Sequence, residues 1–195
     1  MTRNRLAAAD LALVAVFAAL IAVLGLPGQL NLLGNAVPIT AQSLGVMLCG
    51  AVLGARRGAL AVLVFIALVA LGLPLLAGGL GGLGVFASAR SGYLIGFVPG
   101  AWVIGRMMES APRRGGLLWA VLSCVVGGIA VVYAFGVPVA AKVTGLSLGT
   151  TLKGAWIYLP GDAIKAVVAG VIALAVRRGY PKVTAHREKT SAVER

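Results

Sequence analysis

Apolar residues form long runs along this chain, and short polar or glycine-containing connections separate them. A helix needs about 20 mostly apolar residues to cross about 30 Å of hydrocarbon, and slightly fewer where flanking side chains reach the interface. Six runs approach this length, at residues 7–26, 37–53, 58–76, 91–108, 116–137 and 158–176. The pattern therefore predicts an all-α integral membrane protein with six transmembrane helices.

The composition agrees with a protein whose surface faces lipid. Apolar residues make up 60% of the 195 residues and charged residues 11%, and the mean hydropathy is +1.01. Soluble domains cover their surface with roughly 25% charged residues. This chain has too few charges to do so, and a soluble fold is excluded.

The net charge of +12 indicates membrane topology rather than nucleic-acid binding, because the basic residues do not share one folded face. Lys and Arg in short loops stay on the cytoplasmic side during insertion. Only Arg90, Lys142 and Lys153 lie in connections on one side of the predicted helices. The opposite side holds Arg3, Arg5, Arg56, Arg57, Arg106, Arg113, Arg114, Arg177, Arg178, Lys182, Arg187, Lys189 and Arg195. We therefore expect both termini in the cytoplasm and an uncleaved first helix rather than a signal peptide.

Two outer connections are longer than simple turns. Residues 72–84 are too rich in glycine for a stable helix and too apolar for a solvated linker, which predicts a glycine-rich loop enclosed by protein. Residues 138–157 mix hydroxyl and apolar side chains and end at aromatic residues, which predicts an interfacial lid segment or helix. We expect one transmembrane domain over residues 1–178 and a basic, disordered tail over residues 179–195.

Asp162 and Lys165 are the most informative polar pair, because they lie three residues apart on one face of the sixth predicted helix. A lone charge at membrane depth costs on the order of 2.5 to 3.5 kcal/mol. Each side chain therefore needs a partner or a polar cavity. A purely structural ion pair and a ligand-binding pair both satisfy this requirement.

Arg90 directly follows the glycine-rich loop. Its guanidinium suits a carboxylate, which it can hold through two parallel hydrogen bonds. An arginine that reaches the interface from an apolar surface is the alternative. No metal site is expected, because Cys49 and Cys124 lie in apolar runs and His186 lies in the polar tail.

The first predicted helix carries a stripe of alanines at positions 8, 12, 15, 19 and 22. Small residues let helices approach closely in lipid. The stripe predicts either close packing within the chain or docking onto another protein.

Several motifs, in this order along the chain, resemble the BioY family, the biotin-specific substrate-binding subunits of energy-coupling factor (ECF) transporters. They are VPITAQSLGVM at 37–47, LGARRG at 53–58, LGLP at 71–74, GYLIGF at 92–97 and LPGDAIK at 159–165. The resemblance implies biotin uptake across a bacterial cytoplasmic membrane, through an outward-opening pocket that loops cap. It also implies a transmembrane coupling subunit and two cytoplasmic ATPases as partners, with Ala15, Ala19 and Ala22 facing the coupling subunit.

The resemblance further implies that Asp162 and Lys165 contact biotin. We expect Asp162 to accept from the ureido N–H groups and Lys165 to donate to the ureido carbonyl. Arg90, or backbone amides near Gly78 and Gly79, would hold the biotin carboxylate, and Lys165 is the alternative for that role.

Two more side chains complete the expected site. Tyr93 would pack on the biotin bicycle, and Gln42 would line the pocket floor. Many relatives have Gly-Pro-Thr where this chain has Ala89-Arg90-Ser91, so the role of Arg90 differs from the usual pattern.

Other functions remain as alternatives. A binding subunit for another small vitamin shares every feature above. A membrane enzyme lacks a nucleophile paired with a base, and a channel lacks rings of charged residues unless a homo-oligomer supplies them. We therefore expect a transport subunit without cofactor or catalytic activity, embedded in the lipid bilayer.

Overall fold

The computed structural model describes residues 8–28, 40–112 and 115–180. Their regular structure is helical, apart from one isolated bridge between Leu76 and Leu80. The helices are α1 (Ala8–Val23), α2 (Gln42–Leu53), α3 (Ala55–Ala70), α4 (Ser91–Glu109), α5 (Gly116–Val125), α6 (Val132–Thr144), α7 (Leu148–Ala155) and α8 (Leu159–Gly179). A π-helical segment, Val126–Val131, joins α5 to α6 without a break, so six helical segments form the bundle: α1, α2, α3, α4, α5–α6 and α8.

Two continuous helices of the described chain are long and apolar enough to cross a membrane by those criteria alone, Gly116–Thr144 and Leu148–Gly179. The apolar helices α1 and α2 are shorter. At a rise of about 1.5 Å per residue, the twelve residues of α2 extend only about 18 Å. Ten residues of α2 are buried, and the helix contacts α1, α3, α4 and α8.

Polar contacts hold together one end of the bundle, which we call the basic end because Arg57, Arg106 and Arg177 lie there. Arg57 pairs with the buried Asp10 of α1 at 3.0 Å. Gly54, with φ of +83°, makes the sharp turn between α2 and α3, and the Glu109 carboxylate accepts from the Ala55 amide at 2.9 Å. An anion at the start of α3 satisfies a free N–H and matches the helix dipole.

Close packing between α4 and α6 depends on glycine. A Cβ on Gly92 or Gly96 would lie within about 3 Å of the Phe135 or Val132 carbonyl oxygen, respectively. A Cβ on Gly136 would overlap the Tyr93 ring. Small residues of this kind let backbones approach in lipid, and here they bring Tyr93 and α6 together.

Several predicted boundaries were wrong. The third helix spans Ala55–Ala70 rather than 58–76, because Gly72 adopts φ of +101° and Pro74 follows it. The fifth helix continues through Pro138 to Thr144, where Gly145 ends it in the left-handed conformation. The predicted lid, 138–157, is therefore helix α6 in its first part, and only α7 and the 3₁₀ turn Trp156–Tyr158 lie beyond it.

Other expectations lie partly outside the described residues. The second helix begins at Gln42, and residues 37–39 of its predicted span are not described. Helix α8 ends at Gly179, and the expected disorder of the tail concerns residues 181–195, also outside the described ranges. The division at 178/179 and the cytoplasmic placement of both termini stay predictions.

Candidate binding site

A partly open cavity lies at the end of the bundle opposite the basic end, and we call that end the cavity end. The N-terminal parts of α2, α4 and α8 meet there, beside α6 and the α3–α4 connection. The space between its walls, including the open mouth, amounts to about 720 Å³. Its walls are Thr40, Gln42, Ser43, Leu76, Ala77, Arg90, Tyr93, Leu94, Phe97, Gly128, Val132, Tyr133, Tyr158, Asp162 and Lys165.

Asp162 and Lys165 form an ion pair in the cavity wall. Lys165 Nζ lies 3.0 Å from Asp162 Oδ1, and Asp162 is only 7% exposed. Ser43 donates to the same oxygen at 3.3 Å, and Tyr133 donates to Oδ2 at 2.8 Å. Partners on α2, α6 and α8 thus compensate the buried carboxylate, as a charge at this depth requires.

Lys165 uses its donors within the protein. Besides Asp162, its ammonium donates to the Thr40 carbonyl oxygen at 2.6 Å and to Ser43 Oγ at 3.0 Å. An ammonium has three N–H groups, so the three contacts fill its donor capacity. A ligand acceptor must replace one of these contacts to bind Lys165.

Arg90 differs from this pair. Its side chain lines the cavity and makes no hydrogen bond or ion pair with the described part of the chain. It precedes the first residue of α4, and partial burial lowers the pKa of its guanidinium. The shift reflects the loss of hydration around an uncompensated cation, and a bound anion would offset that loss.

Tyr93 and Tyr133 form an aromatic corner of the cavity. Their ring centroids are 5.8 Å apart with an interplanar angle of 80°, an edge-to-face arrangement favoured by aromatic quadrupoles. Leu94, Phe97 and Val132 continue this apolar wall. The cavity therefore offers a flat apolar surface next to a charged cluster.

Gln42 connects the cavity wall to two other segments. Its amide nitrogen donates to the Leu75 oxygen at 3.0 Å and to the Ile21 oxygen at 3.3 Å, and its amide oxygen accepts from the Ala77 N–H at 3.0 Å. Gln42 therefore holds the α3–α4 connection over the cavity. Gly78 and Gly79 form the turn of that connection with positive φ and are not among the described residues of the cavity wall.

Five of the seven expected ligand contacts thus share one cavity, namely Asp162, Lys165, Arg90, Tyr93 and Gln42. Their assignment to ligand binding stays a prediction. Sequence reasoning missed the contacts of Tyr133, Ser43 and Thr40. A tyrosine hydroxyl within the apolar run 126–137 was the available signal for Tyr133, whereas the Thr40 contact uses a backbone oxygen, which no side-chain pattern shows.

The alanines of the α1 stripe differ in how exposed they are. Ala15 and Ala19 are exposed, while Val14, Ala18 and Ile21 form the buried face. Ala22 is half-buried and packs against the core. Packing within the described chain therefore does not account for Ala15 and Ala19.

A bundle of six helical segments, with a buried ion pair and an aromatic wall in a cavity at one end, defines a helical membrane protein with a candidate binding cavity. The BioY family model matches residues 1–182. The "Biotin transporter BioY" of Rhizobium etli is 50% identical over 90% of this chain and 97% of its own. That of Rhodobacter capsulatus is 44% identical over 88% and 95%, respectively.

A solved structure agrees with the sequence relatives. The S-component for biotin from an ECF-type ABC transporter superposes with a TM-score of 0.83 at 28% identity, covering 91% of this chain and 95% of that one. The chain belongs to the BioY family. This membership confirms the expected six-helix membrane fold, the plasma-membrane location and the class, a transport protein rather than an enzyme.

Proposed function

We propose that this protein binds biotin in its cavity and serves as the substrate-specific subunit of an ECF-type transporter. Its relatives carry the name biotin transporter, and the solved neighbour is a biotin S-component. The observation that carries the proposal is the combination within one cavity of the Asp162–Lys165 pair, an apolar aromatic wall and Arg90, which has no hydrogen-bond partner among the described residues. These three features match the three chemical parts of biotin.

Biotin has a ureido ring with two N–H donors and one carbonyl, an apolar thioether ring, and a carboxylate on a flexible arm. Asp162 accepts from the ureido ring, and Lys165 exchanges one of its internal contacts for the ureido carbonyl. Tyr93 packs on the bicycle. Arg90 holds the carboxylate, since no described residue competes for it, whereas Lys165 has three acceptors and would leave Asp162 without its paired cation if it moved away.

Transport requires partners, and we propose a transmembrane coupling subunit with two cytoplasmic ATPases. The exposed alanines of α1, Ala15 and Ala19, provide a smooth surface on which a partner helix can pack closely. The basic end would face the cytoplasm and the cavity end the outside. ATP hydrolysis in the partners would drive the release of biotin inside the cell.

Calorimetric titration of the purified protein in detergent with biotin tests the binding function. We expect tight binding by the wild type and losses of about tenfold to a hundredfold for Asp162→Asn and Lys165→Ala, because each removes hydrogen bonds to a charged group. Lys153→Ala is the matched control, since it removes one lysine charge from α7 outside the cavity.

The three results separate the alternatives. Absence of biotin binding by folded wild-type protein would exclude biotin and favour another vitamin. Unchanged binding by both cavity variants would make the pair structural. Equal losses in Lys153→Ala would indicate a general effect of charge rather than a local site.

A further inference from the structure

The π-helical segment between α5 and α6 lies beside the proposed binding site. It spans Val126–Val131, Gly128 within it lines the cavity, and Tyr133 follows it by two residues. Hydrogen bonds in a π-helix link residues i and i+5, so one more residue fits into the turn than in an α-helix. Because an α-helix turns by about 100° per residue, an unbroken α-helix would place Tyr133 about 100° from its observed direction.

Close contacts fix the helix within this turn and beyond it. A Cβ on Gly127 would overlap Ile104 of α4, and one on Gly128 would lie 2.5 Å from Cε of Met47. Beyond the turn, Gly136 packs directly on the Tyr93 ring. The π turn lets the helix keep both sets of packing contacts while the Tyr133 hydroxyl points at Asp162.

The Tyr133 hydrogen bond limits the number of positions at which Asp162 can accept from a ligand. A carboxylate has about four lone-pair positions, and Tyr133, Ser43 and Lys165 occupy three of them. The Tyr133 bond uses Oδ2 alone, while Lys165 and Ser43 share Oδ1. One acceptor position is left on Oδ2.

We infer that Tyr133, directed into the cavity by the π turn, is a positioning residue that orients Asp162 and leaves one Oδ2 position for a single ligand N–H. This inference deepens the proposed function and rests on it for the identity of the ligand. The chemical class it selects is a cyclic amide or urea that presents an N–H donor to one carboxylate oxygen.

A double-mutant cycle tests the inference with biotin as the probe. Tyr133→Phe removes only the hydroxyl, and in the wild-type background we expect it to weaken biotin binding on the order of tenfold. In the Asp162→Asn background its effect should be several-fold smaller, because the neutral amide oxygen of asparagine accepts from Tyr133 more weakly than a carboxylate does. Equal effects in both backgrounds, or no effect in the wild type, would overturn the inference.

Tyr93→Phe is the matched control for the cycle. It also removes a cavity tyrosine hydroxyl, but that hydroxyl makes no hydrogen bond with the described residues. Its coupling to Asp162→Asn should be weaker than that of Tyr133→Phe. Strong coupling of Tyr93→Phe to Asp162 would contradict a specific role for Tyr133.

Infrared spectroscopy of the ligand-free protein provides a second readout. The carboxylate stretch of Asp162, assigned from its loss in Asp162→Asn, should shift in Tyr133→Phe and stay in place in Tyr93→Phe. This measurement decides the inference alone if Asp162→Asn binds biotin too weakly to titrate. It also separates the two proposals, because a wild type that ignores biotin but shows the shift would refute the ligand and retain the positioning role.

Discussion

Arg90 and Lys165 are both cavity cations, but their surroundings give them different capacities. Lys165 donates to three internal acceptors. Arg90 has none in the described chain, and its partial burial lowers its pKa without removing its charge near neutral pH. A ligand carboxylate therefore gains most from Arg90, since the protein already compensates Lys165.

Replacement of Arg90 by glutamine should test this difference. We expect Arg90→Gln to weaken biotin binding on the order of tenfold, because it removes a charge-assisted pair. Biotin amide, which lacks the carboxylate charge, should bind the wild type and Arg90→Gln about equally. A calorimetric comparison of the two ligands measures this.

One result of this comparison would contradict a contact between Arg90 and the carboxylate. If Arg90→Gln weakens biotin and biotin amide to the same extent, Arg90 supports the cavity without contacting the carboxylate. Lys165 or the backbone near Gly78 would then be the next candidate for the carboxylate.

At the scale of secondary-structure elements, α2 organises the site from the centre of the bundle. Its first turn provides Gln42 and Ser43 to the cavity, and Gln42 links α2 to the end of α1 and to the α3–α4 connection. Gln42 therefore holds the connection over the cavity together with backbone hydrogen bonds such as that from Gly82 N–H to the Val69 oxygen at 2.7 Å.

Substitution of Gln42 should destabilise this connection. Gln42→Leu leaves the Ala77 N–H and the Leu75 carbonyl without their partner, and each unsatisfied buried group costs roughly 1–3 kcal/mol. We expect the free energy of unfolding to fall by about 2–6 kcal/mol, measured by chemical unfolding in detergent. Ser110→Ala, which removes an exposed hydrogen bond to the Arg106 carbonyl, should change it little.

The exposed face of α1 allows a test of partner docking. Ala15→Trp combined with Ala19→Trp should abolish biotin uptake by cells, because bulky side chains prevent close helix approach. Biotin binding by the purified variant should stay at the wild-type level. Val171→Trp, on the exposed face of α8, is the control and should leave uptake intact, so equal loss there would argue against a specific α1 surface.

At the scale of the whole molecule, the described basic residues separate between the two ends of the bundle. Arg57, Arg106 and Arg177 are held at the basic end by Asp10, Glu109 and the Met108 carbonyl. Arg90 lies in the cavity at the other end, where Lys142 lies in the last turn of α6 and Lys153 in the last turn of α7. This separation agrees with the topology expected from the sequence.

Cysteine labelling can determine the orientation directly. Cys49 and Cys124 are fully buried, so they should react slowly and give a low background. A membrane-impermeant maleimide added to intact spheroplasts should label Lys153→Cys, while Arg56→Cys should react only after permeabilisation. The reverse pattern would place the cavity on the cytoplasmic side and contradict an uptake function.

The sequence alone determined that lipid surrounds this protein, how many helical segments it has and which residues provide most polar groups of the cavity. These properties depend on local composition and on the high cost of a charge in lipid, and both act wherever the residue lies in the fold. Asp162, Lys165 and Arg90 were therefore recognisable without a structure.

Only the tertiary structure decided which of these groups are free. Tyr133 reaches Asp162 because the π turn changes the direction in which its side chain leaves the helix. Lys165 has no free N–H donor because the Thr40 carbonyl, Ser43 and Asp162 accept all three. Both facts depend on the relative placement of helices separated by long stretches of sequence. Hydrophobic patterns indicate that a helix face is buried but not what it packs against. The different availability of Lys165 and Arg90 to a ligand was therefore visible only in the tertiary structure.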